Sequence, residues 1–378
     1  MPLLPDLAVY VHWPFCQAKC PYCDFNSHVA RSVDYNRWAR AFASEISRFH
    51  KDIGEARITS VFFGGGTPSL MPPDLVDHIL AEIRKTWPVA NDYEVTLEAN
   101  PTSVEAARFE GYRDAGVSRV SVGVQSLRDE HLRALGRLHS AAEARKAVET
   151  AGRVFNAVSA DLIYARQDQS LADWQAELAE AVDLGLDHLS LYQLTIEDGT
   201  AFASRLERGR LAGLPAEDLA ADLFEATQDQ MNEVGLAAYE VSNHARPGAE
   251  SRHNLTYWRG GSYLGIGPGA HGRLHRDGAW VATAGHMMPE AWLSAVEQQG
   301  SGDAVYDPLS AADRAVEYVM MSLRLAEGCE LDRAVEALNI NKLDELTSDG
   351  FVWRDGGRIG TTPRGRPVLN AILAALLV

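Results

Sequence analysis

Three of the four cysteines in the chain, Cys16, Cys20 and Cys23, have the spacing C-x3-C-x2-C, which can bring three thiolates around one small volume. Thiolates are soft ligands that suit zinc or an iron–sulfur cluster. Structural zinc usually takes four protein ligands, so three local thiolates favour a 4Fe–4S cluster with one iron open to an outside ligand. Zinc with His28 or Asp24 as the fourth ligand remains an alternative.

Composition predicts a cytoplasmic protein with reduced cysteines. The net charge of −17 and the pI near 5.1 argue against a general nucleic-acid binder, which needs a basic face for phosphates. The sequence contains no run of about 18 or more consecutive apolar residues, so no membrane span is predicted. Residues 1–6 lack the basic segment of a secretory signal. In the cytosol a disulfide framework is not expected, so the clustered thiols are metal ligands, catalytic groups or a coincidence of sequence.

The first two thirds of the chain alternate short apolar runs with helical patterns. The runs are rich in Val, Ile, Leu and aromatic residues and are bounded by Gly, Pro or Asn, which is typical of strands. The predicted strands are Leu7–Trp13, Ile58–Gly66, Tyr93–Asn100, Arg119–Ser126, Ala157–Ala165 and His188–Ile196. The predicted helices are Tyr35–His50, Asp74–Trp87, Val104–Ala115, Ala141–Gly152 and Leu171–Leu184. Such β-α units predict an α/β fold with a parallel sheet covered on both faces.

Polar or glycine-rich residues stand at the same end of five successive predicted strands. The cysteine segment follows the first strand, and the Gly-Gly-Gly-Thr-Pro segment 64–68 ends the second. Glu98 ends the third strand, Gln125 ends the fourth, and Asp161 lies late in the fifth. If the units curl into a barrel, ligands bind at the carboxyl ends of its strands. We therefore expect these five features to share one site.

Three domains are predicted from changes in pattern. Residues 1–213 form the β/α unit, and residues 214–306 form an extension that begins with a helix at Ala216–Val234 and then has no clear period. Residues 307–378 contain three helical patterns, then a strand, an Asp-Gly-Gly turn, a second strand and a terminal helix. That order predicts a small winged-helix-like module. Cys329, within it, is expected to be a buried apolar thiol.

The motifs and their order resemble the radical S-adenosylmethionine (SAM) superfamily and, within it, the oxygen-independent coproporphyrinogen III oxidase group. The segments that carry the resemblance are "YVHWPFC", "FFGGGTPSL", "EANP", "GVQS", "GR", "DLIY" and "HNLTYW…GIGPGAHG", which extend over nearly the whole chain. The resemblance implies a partial six-stranded β/α barrel with the smaller winged-helix-like module at its C-terminal side.

The resemblance also implies cofactors and site residues. Cys16, Cys20 and Cys23 would ligate a 4Fe–4S cluster, and the open iron would bind the amino and carboxylate groups of SAM. Further implied contacts to SAM are Gly65, Gly66 and Thr67 at its amino acid end, Tyr10 and Tyr22 beside the cluster, and Glu98, Gln125, Arg137 and Asp161 at its ribose and methionine ends. Carboxylates, an amide and a guanidinium are fitting partners for the ammonium, carboxylate and hydroxyl groups of SAM. No catalytic residue is assigned.

Two departures from the oxidase pattern stand out. Phe25 occupies the position where the oxidases have a further cysteine, and the segment before the first strand is shorter than the arm that they use for substrate. Both departures argue against coproporphyrinogen oxidation. In addition, Ala165-Arg166-Gln167 replaces the Gly-Leu-Pro that commonly follows "DLIY", so contacts beyond Asp161 are expected to differ.

The segment "HNLTYW" at 253–258 resembles a sister group of heme chaperones. The resemblance implies that the protein binds heme and passes it to acceptor proteins, such as respiratory enzymes at a membrane. His253 is the candidate axial ligand, because a neutral imidazole is a normal ligand of heme iron. His244 and His271 are alternative ligands. A competing interpretation is that His253, Asn254 and Trp258 only brace the loop against the mouth of the barrel.

Three hypotheses follow. The favoured one is a heme chaperone with a 4Fe–4S cluster and SAM. The second is a radical SAM oxidoreductase that decarboxylates coproporphyrinogen III, and the third is a non-catalytic zinc protein. Whether SAM is turned over stays open. The oligomeric state also stays open, with a homodimer as one alternative.

Overall fold

The computed structural model of the chain describes residues 4–276 and 278–377. Residues 1–3, 277 and 378, which fall within the predicted domains 1–213, 214–306 and 307–378, lie outside the described residues. In the described part, no helix combines the length and the apolar character needed to cross a membrane.

Six parallel strands form the centre of the molecule and are neighbours in chain order. They are β1 (Asp6–Trp13), β2 (Arg57–Gly65), β3 (Val89–Ala99), β4 (Arg119–Gln125), β5 (Ala157–Tyr164) and β6 (His188–Gln193). All six predicted strands are therefore confirmed. One face of each strand packs on helices, as with Val9, Val11 and Trp13 of β1. The opposite face carries Tyr10 and His12, because successive side chains of a strand alternate in direction.

The helices that cover the sheet follow the strands as β-α units. They are α1 (Tyr35–Ile53), α2 (Pro73–Thr86), α3 (Ser103–Ala106), α4 (Phe109–Ala115), α5 (Asp129–Ala134), α6 (Ala141–Val154), α7 (Leu171–Val182), α8 (Ala201–Glu207) and α9 (Glu217–Glu233). The single helix predicted over Val104–Ala115 is wrong, since it divides into α3 and α4. At the division, Arg108 donates to the carbonyls of Ser69 and Leu70, both at 3.1 Å. Helices α6 and α7 each begin with a capping box, at Ser140 and Ser170.

The segment without a clear sequence period adds strands to both edges of the sheet. Strand β7 (Asn243–Ala245) pairs antiparallel with β6, and helix α10 (Arg252–Trp258) follows. Strand β8 (Tyr263–Ile266) then pairs parallel with β1 at the other edge. Strands β9 (His271–Arg276), β10 (Ala279–Gly285) and β11 (Asp303–Leu309) continue that edge antiparallel, with α11 (Pro289–Gln299) between the last two. Strands on both sides of the predicted boundary at 213/214 thus belong to one eleven-stranded sheet.

The remaining elements build a smaller unit with its own apolar core. They are α12 (Ala311–Ser322), β12 (Cys329–Glu330), α13 (Leu331–Ala334), α14 (Ile340–Ser348), β13 (Val352–Asp355), β14 (Arg358–Thr361) and α15 (Leu369–Leu376). The strands form an antiparallel sheet in the order β12-β14-β13, where the Asp-Gly-Gly turn joins β13 to β14. Cys329 is fully buried in this core, and burial raises the pKa of its thiol to about 12.

Helices α1 and α11 pack through aromatic rings that join the edge strands to the centre of the sheet. The rings of Trp38 and Trp292 stack with centroids 5.5 Å apart, and Phe42 lies at the same distance from Trp292. Gly302 lies against this indole, because a Cβ there would stand 2.2 Å from the Trp292 ring nitrogen. The stacked pair therefore fixes the segment 286–302 against α1.

We expect Trp292→Ala to lower the free energy of unfolding by about 3–5 kcal/mol, because it removes a fully buried aromatic side chain. Urea denaturation followed by circular dichroism measures this change. Val305→Ala, at an exposed position of β11 in the same extension, is the matched control and should change it by less than about 0.5 kcal/mol. A Trp292→Ala loss as small as that of the control would contradict the proposed anchoring role.

Candidate cofactor site at the carboxyl ends of the strands

The cysteine segment and the carboxyl ends of β2 to β6 enclose one cavity of about 370 Å³, a volume typical of small-molecule sites. Eleven of the thirteen predicted site residues line it. They are Cys16, Cys20, Tyr22, Cys23, Gly65, Gly66, Thr67, Glu98, Gln125, Arg137 and Asp161. The other two, Tyr10 and His253, are not among the residues that line it. The structure therefore brings together the five features expected to share a site.

Backbone contacts fix the cysteine segment against the Gly-Gly-Gly-Thr-Pro turn. The amide of Gly66 donates to the carbonyl of Trp13 at 2.7 Å, and the amide of Thr67 donates to the carbonyl of Phe15 at 2.9 Å. The Thr67 hydroxyl donates to the Cys16 sulfur at 3.3 Å. A Cβ on Gly66 would stand 2.8 Å from the Phe15 carbonyl oxygen, so glycine permits this approach.

The imidazole of His12 lies under this turn and has a structural role. Its Nε2 hydrogen-bonds the carbonyl of Asn26 at 2.9 Å, and its Nδ1 hydrogen-bonds the Tyr10 hydroxyl at 3.0 Å. Gly65 has a φ of 110°, and a Cβ there would stand 2.5 Å from the His12 ring. Tyr10 therefore does not line the cavity, and its connection to the site is the hydrogen bond to His12. A Cβ on Gly64 would stand 2.8 Å from the Tyr10 ring, so that glycine makes room for it.

Residues 16–26, which carry the three cysteines, are called the cysteine loop. The end of this loop is held by the "GIGPGAHG" segment through the side chain of Asn26. The Asn26 amide donates to the carbonyl of Pro268 at 2.9 Å and to the carbonyl of Met287 at 2.8 Å. The Asn26 side-chain oxygen Oδ1 hydrogen-bonds His28 Nε2 at 3.0 Å. Gly269 has a φ of 70°, and a Cβ there would stand 2.7 Å from the Asn26 amide nitrogen. These contacts give the glycine-rich motif a function in supporting the cysteine loop.

Two carboxyl groups form the deep wall of the cavity. Asp161 accepts hydrogen bonds from the Ser121 hydroxyl at 2.9 and 3.1 Å, and burial raises its pKa to about 6. Burial, and then the nearby charge of Asp161, raise the pKa of Glu98 to about 8. Near neutral pH, Glu98 therefore holds a proton and can donate a hydrogen bond, while Asp161 is mainly an acceptor.

Arg137 joins the cysteine loop to the ends of β3 and β4. Its guanidinium donates to the Cys20 sulfur at 3.5 Å, to the carbonyl of Gly123 at 3.2 Å and to the side-chain oxygen of Asn100. Gln125, at the end of β4, has a φ of 65°, which is uncommon for a residue other than glycine. Its side chain folds back over Gly123, where a Cβ would stand 3.0 Å from the Gln125 amide nitrogen. Strain at a strand end is typical of functional positions.

Arg166, in the Ala165-Arg166-Gln167 segment that departs from the family pattern, forms a buried ion pair. This pair supports Gln125. Arg166 and Glu177 are both almost fully buried and form a salt bridge. Glu177 also accepts hydrogen bonds from the Ser126 hydroxyl and the Leu127 amide, both at 2.7 Å. Arg166 donates to the carbonyl of Gln125 at 3.4 Å. The loop after β5 is thus attached to α7 and to the end of β4.

The predicted heme ligand His253 lies at the opposite end of the strands. It is 1 % exposed, and its ring stacks on Phe62 with centroids 5.0 Å apart. Nδ1 hydrogen-bonds the Ser60 hydroxyl at 2.9 Å, and Nε2 hydrogen-bonds the Tyr257 hydroxyl. The carboxylate of Glu94 accepts from the His253 amide at 3.4 Å. Burial lowers the pKa of His253 to about 3, so the imidazole is neutral.

A wider polar network surrounds helix α10 at this end. Arg119 donates to the carbonyl of Ala249 at 3.0 Å and pairs with Glu94 at 3.4 Å. His188 hydrogen-bonds Ser159 at 2.6 Å and the Tyr239 hydroxyl at 3.0 Å. These contacts favour the interpretation in which the "HNLTYW" segment braces the barrel, although at the amino ends of the strands and not at the mouth.

The two alternative heme ligands differ in exposure. His244 is 1 % exposed, and its nitrogens hydrogen-bond the Ser242 carbonyl at 3.2 Å and the Gln228 amide at 3.3 Å. His271, at the start of β9, is exposed. Of the three candidates, only His271 therefore presents an accessible imidazole in the structure.

Several residues that line the cavity were not predicted from the sequence, and Asn100, Ser121 and Tyr192 are among them. Asn100 belongs to the "EANP" motif, which carried the resemblance but received no role. Ser121 lies four residues before Gln125 on β4, and the period of two puts both on one face. Tyr192 is near the end of β6, where the rule that located the other residues also applies.

The donor set fits a group larger than a single ion. Among the described residues, no three His, Cys, Asp or Glu side chains converge so that they could hold one metal ion. The three thiols line the cavity together with four carboxyl groups, those of Asp24, Glu98, Asp161 and Glu197, and the guanidinium of Arg137. This combination suits an iron–sulfur cluster with an adjoining polar organic ligand.

Comparison with known proteins agrees with this assignment. The model of the Radical SAM superfamily matches residues 10–181. The chain is 36 % identical over 386 residues to the heme chaperone HemW of Escherichia coli (strain K12), with 99 % of both chains covered. It is 40 % identical over 328 residues to the mitochondrial radical S-adenosyl methionine domain-containing protein 1 of Danio rerio, covering 85 % of this chain and 74 % of that protein.

A solved structure shares the fold. Coproporphyrinogen III oxidase (HemN) from Escherichia coli, described as a radical SAM enzyme, superimposes with a TM-score of 0.82 at 22 % sequence identity. The superposition covers 99 % of this chain and 90 % of that one. The predicted α/β radical SAM fold is confirmed.

The chain belongs to the radical SAM superfamily. Within it, the full-length relatives place the chain in the group that includes bacterial HemW and the mitochondrial radical SAM domain-containing protein 1. Membership of the superfamily implies a 4Fe–4S cluster and SAM as cofactors.

We expect Glu98→Gln to remove a loss of stability at alkaline pH. Because the folded-state pKa of Glu98 is raised, the folded protein holds this proton longer than the unfolded chain, and stability falls as pH rises from about 4.5 to about 8. The neutral amide cannot ionise. Without ligand, the variant should therefore gain about 1–3 kcal/mol at pH 8.5 and little at pH 5. Urea denaturation at both pH values measures this, with the exposed Glu233→Gln as control. An equal effect at both pH values would show that the pKa of Glu98 is not raised in the folded protein.

The buried pair of Arg166 and Glu177 is expected to contribute to stability as a coupled unit. Arg166→Met should lower the free energy of unfolding by about 3–5 kcal/mol, since it leaves the Glu177 carboxylate buried without its partner. The double variant Arg166→Met/Glu177→Met should recover part of that loss, because no buried charge is left unpaired while the Ser126 hydroxyl and the Leu127 amide lose their acceptor. Denaturation of the two single variants and the double variant completes a thermodynamic cycle. Additive losses would show that the pair is not coupled.

Proposed function

We propose that this chain is a heme chaperone, which binds heme and delivers it to acceptor proteins, and which carries a 4Fe–4S cluster with SAM. The observation that carries the proposal is its similarity, over 99 % of both chains, to a protein named as a heme chaperone. The same name belongs to a relative from Haemophilus influenzae that is 36 % identical over 392 residues.

Phe25 supports the chaperone over the oxidase. It stands where the oxidase pattern has a further cysteine, and its side chain is 58 % exposed at the rim of the cavity. A phenyl ring cannot take the place of a thiolate. The likeness to coproporphyrinogen III oxidase is one of fold, so it does not carry that activity to this chain.

We further propose the roles of the residues around the cavity. Cys16, Cys20 and Cys23 ligate the cluster, which in this superfamily supplies the electron that cleaves SAM. The residues proposed to bind SAM are Tyr22, Gly65, Gly66, Thr67, Glu98, Gln125, Arg137 and Asp161. Exposed backbone groups at Gly65 and Gly66 suit the amino acid end. Protonated Glu98 as donor and Asp161 as acceptor suit the two hydroxyls of a ribose. Tyr10 acts indirectly, through its hydrogen bond to His12.

The acceptors, the oligomeric state and the location are further parts of the proposal. Heme-binding respiratory enzymes at a membrane remain the proposed acceptors, and a homodimer remains one alternative. The cytoplasmic location predicted from composition also remains a proposal, since several relatives are named as mitochondrial.

The test is an anaerobic titration of the cluster-reconstituted protein with hemin, followed by the Soret absorbance. Saturation near one heme per chain supports the chaperone, and transfer of the bound heme to apomyoglobin measures release. Absence of saturable binding would refute the proposal. The next experiment would then be incubation with coproporphyrinogen III, SAM and a reductant, with formation of protoporphyrinogen as the outcome that supports the oxidase.

His253→Ala separates the two interpretations of the "HNLTYW" segment. We expect its hemin affinity to stay within about twofold of the unmodified protein, while thermal unfolding shifts by several degrees, because a buried, doubly hydrogen-bonded ring is lost. Circular dichroism measures the melting temperature. If hemin affinity fell sharply with an unchanged melting temperature, His253 would be the ligand after all.

A further inference from the structure

Four large apolar side chains beside the cysteine loop are each more than half exposed. Their exposed fractions are 58 % for Phe25, 60 % for Val29, 57 % for Met287 and 59 % for Met288. They come from two segments that are far apart in the chain. We name Phe25, His28, Val29, Met287 and Met288 together the Met–His surface. An exposed apolar patch beside a functional cavity is typical of a binding site.

Contacts between the two segments make this surface continuous. Asn26, between Phe25 and His28, donates to the carbonyl of Met287 at 2.8 Å. The Asn26 side-chain oxygen hydrogen-bonds the His28 ring at 3.0 Å. The Met287 sulfur lies 3.0 Å from where a Cβ on Gly269 would stand, so glycine lets the thioether lie close to the backbone. The five side chains are therefore presented by one hydrogen-bonded unit.

The side chains of this surface include the ligand types that heme iron accepts. Met287 and Met288 carry exposed thioethers, and His28 carries a partly exposed imidazole. Two further imidazoles are adjacent in sequence to the same supporting segments, those of His286 and His271. The amide of Gly269 donates to the carbonyl of His286 at 3.0 Å. Histidine and methionine are the axial ligands of many heme proteins, and both bind iron without adding a negative charge.

The local charge also suits heme, which carries two carboxylates on an apolar ring. A chain with a net charge of −17 repels such an anion over much of its surface. Near His28, however, the Lys19 ammonium lies 3.5 Å from the carbonyl of Ser27 and is exposed. A cation next to an exposed apolar patch can pair with a heme carboxylate while the ring covers the patch.

We propose that the Met–His surface is the heme-binding site, with Met287, Met288 or His28 providing the axial ligand and Lys19 pairing with a heme carboxylate. This inference rests on the proposed heme chaperone function and deepens it by locating the ligand. It replaces a ligand enclosed at the amino ends of the strands with a site that heme reaches and leaves without unfolding of the barrel. A surface site suits a protein that must hand its ligand to another protein.

Hemin titration of Met287→Ser/Met288→Ser tests the proposal. We expect its dissociation constant for hemin to rise about tenfold or more, because two apolar side chains and their two thioether ligands are lost. Lys19→Glu should weaken binding about threefold or more at low salt and less at high salt, since its effect is electrostatic. Met320→Ser is the matched control, because Met320 is a 43 % exposed methionine on α12, outside this surface. Its dissociation constant should stay within about twofold.

Because Lys19, Met287, Met288 and Met320 are exposed and His28 is partly exposed, the variants should keep their melting temperature and their iron and sulfide content. Unchanged hemin affinity in both the double methionine variant and His28→Ala would overturn the location of the site while leaving the proposed function intact. No saturable binding by the unmodified protein would overturn the function itself. Sedimentation of the same variants tests whether a second copy of the chain binds this surface instead. Loss of a dimer with unchanged hemin affinity would make the surface a self-association interface and overturn the proposal.

Discussion

The close packing of His12 against Gly65 is the contact on which the cofactor site depends. A Cβ at Gly65 would stand 2.5 Å from the imidazole, and a Cβ at Gly66 would stand 2.8 Å from the carbonyl oxygen of Phe15. Because the turn after β2 can approach β1 in this way, its amides bond the backbone that leads into Cys16. The same imidazole bonds the carbonyl of Asn26, where the cysteine loop ends. Both ends of the loop are thus positioned by one histidine and one turn.

The sheet has two ends with opposite properties. At the carboxyl ends of the strands, the side chains surround an open cavity in which two carboxyl groups have raised pKa values. At the amino ends, helix α10 closes the interior, and its histidine and tyrosine join a hydrogen-bonded network. The rings of Tyr10 and Phe62, stacked with centroids 6.2 Å apart, lie between the two. Closing one end with polar partners leaves the other free to hold a ligand.

Much of this could be predicted from the sequence, because buried parallel strands are continuous apolar runs and their carboxyl ends meet at one edge. That rule located Glu98, Gln125 and Asp161 together. It did not locate β8, because this strand is short and contains Gly265, where a Cβ would stand 2.2 Å from the His271 carbonyl oxygen. A strand whose glycine packs on backbone shows no alternation of side chains. The motif around His253 was recognised, but a motif does not state which face of its helix is buried, and that depends on Ser60 and Phe62 from a distant strand.

The Asn26 side-chain amide connects the cysteine loop to the segments that carry Pro268 and Met287 with two hydrogen bonds, and its oxygen bonds the His28 ring. A group bound on one side of this amide and a ligand bound on the other therefore act on the same short stretch of backbone. Thermodynamic linkage is reciprocal, so whatever factor the first binding event applies to the affinity of the second, the second applies to the first. A shift of this backbone caused by binding on one side would therefore change the affinity of the other side by the same factor.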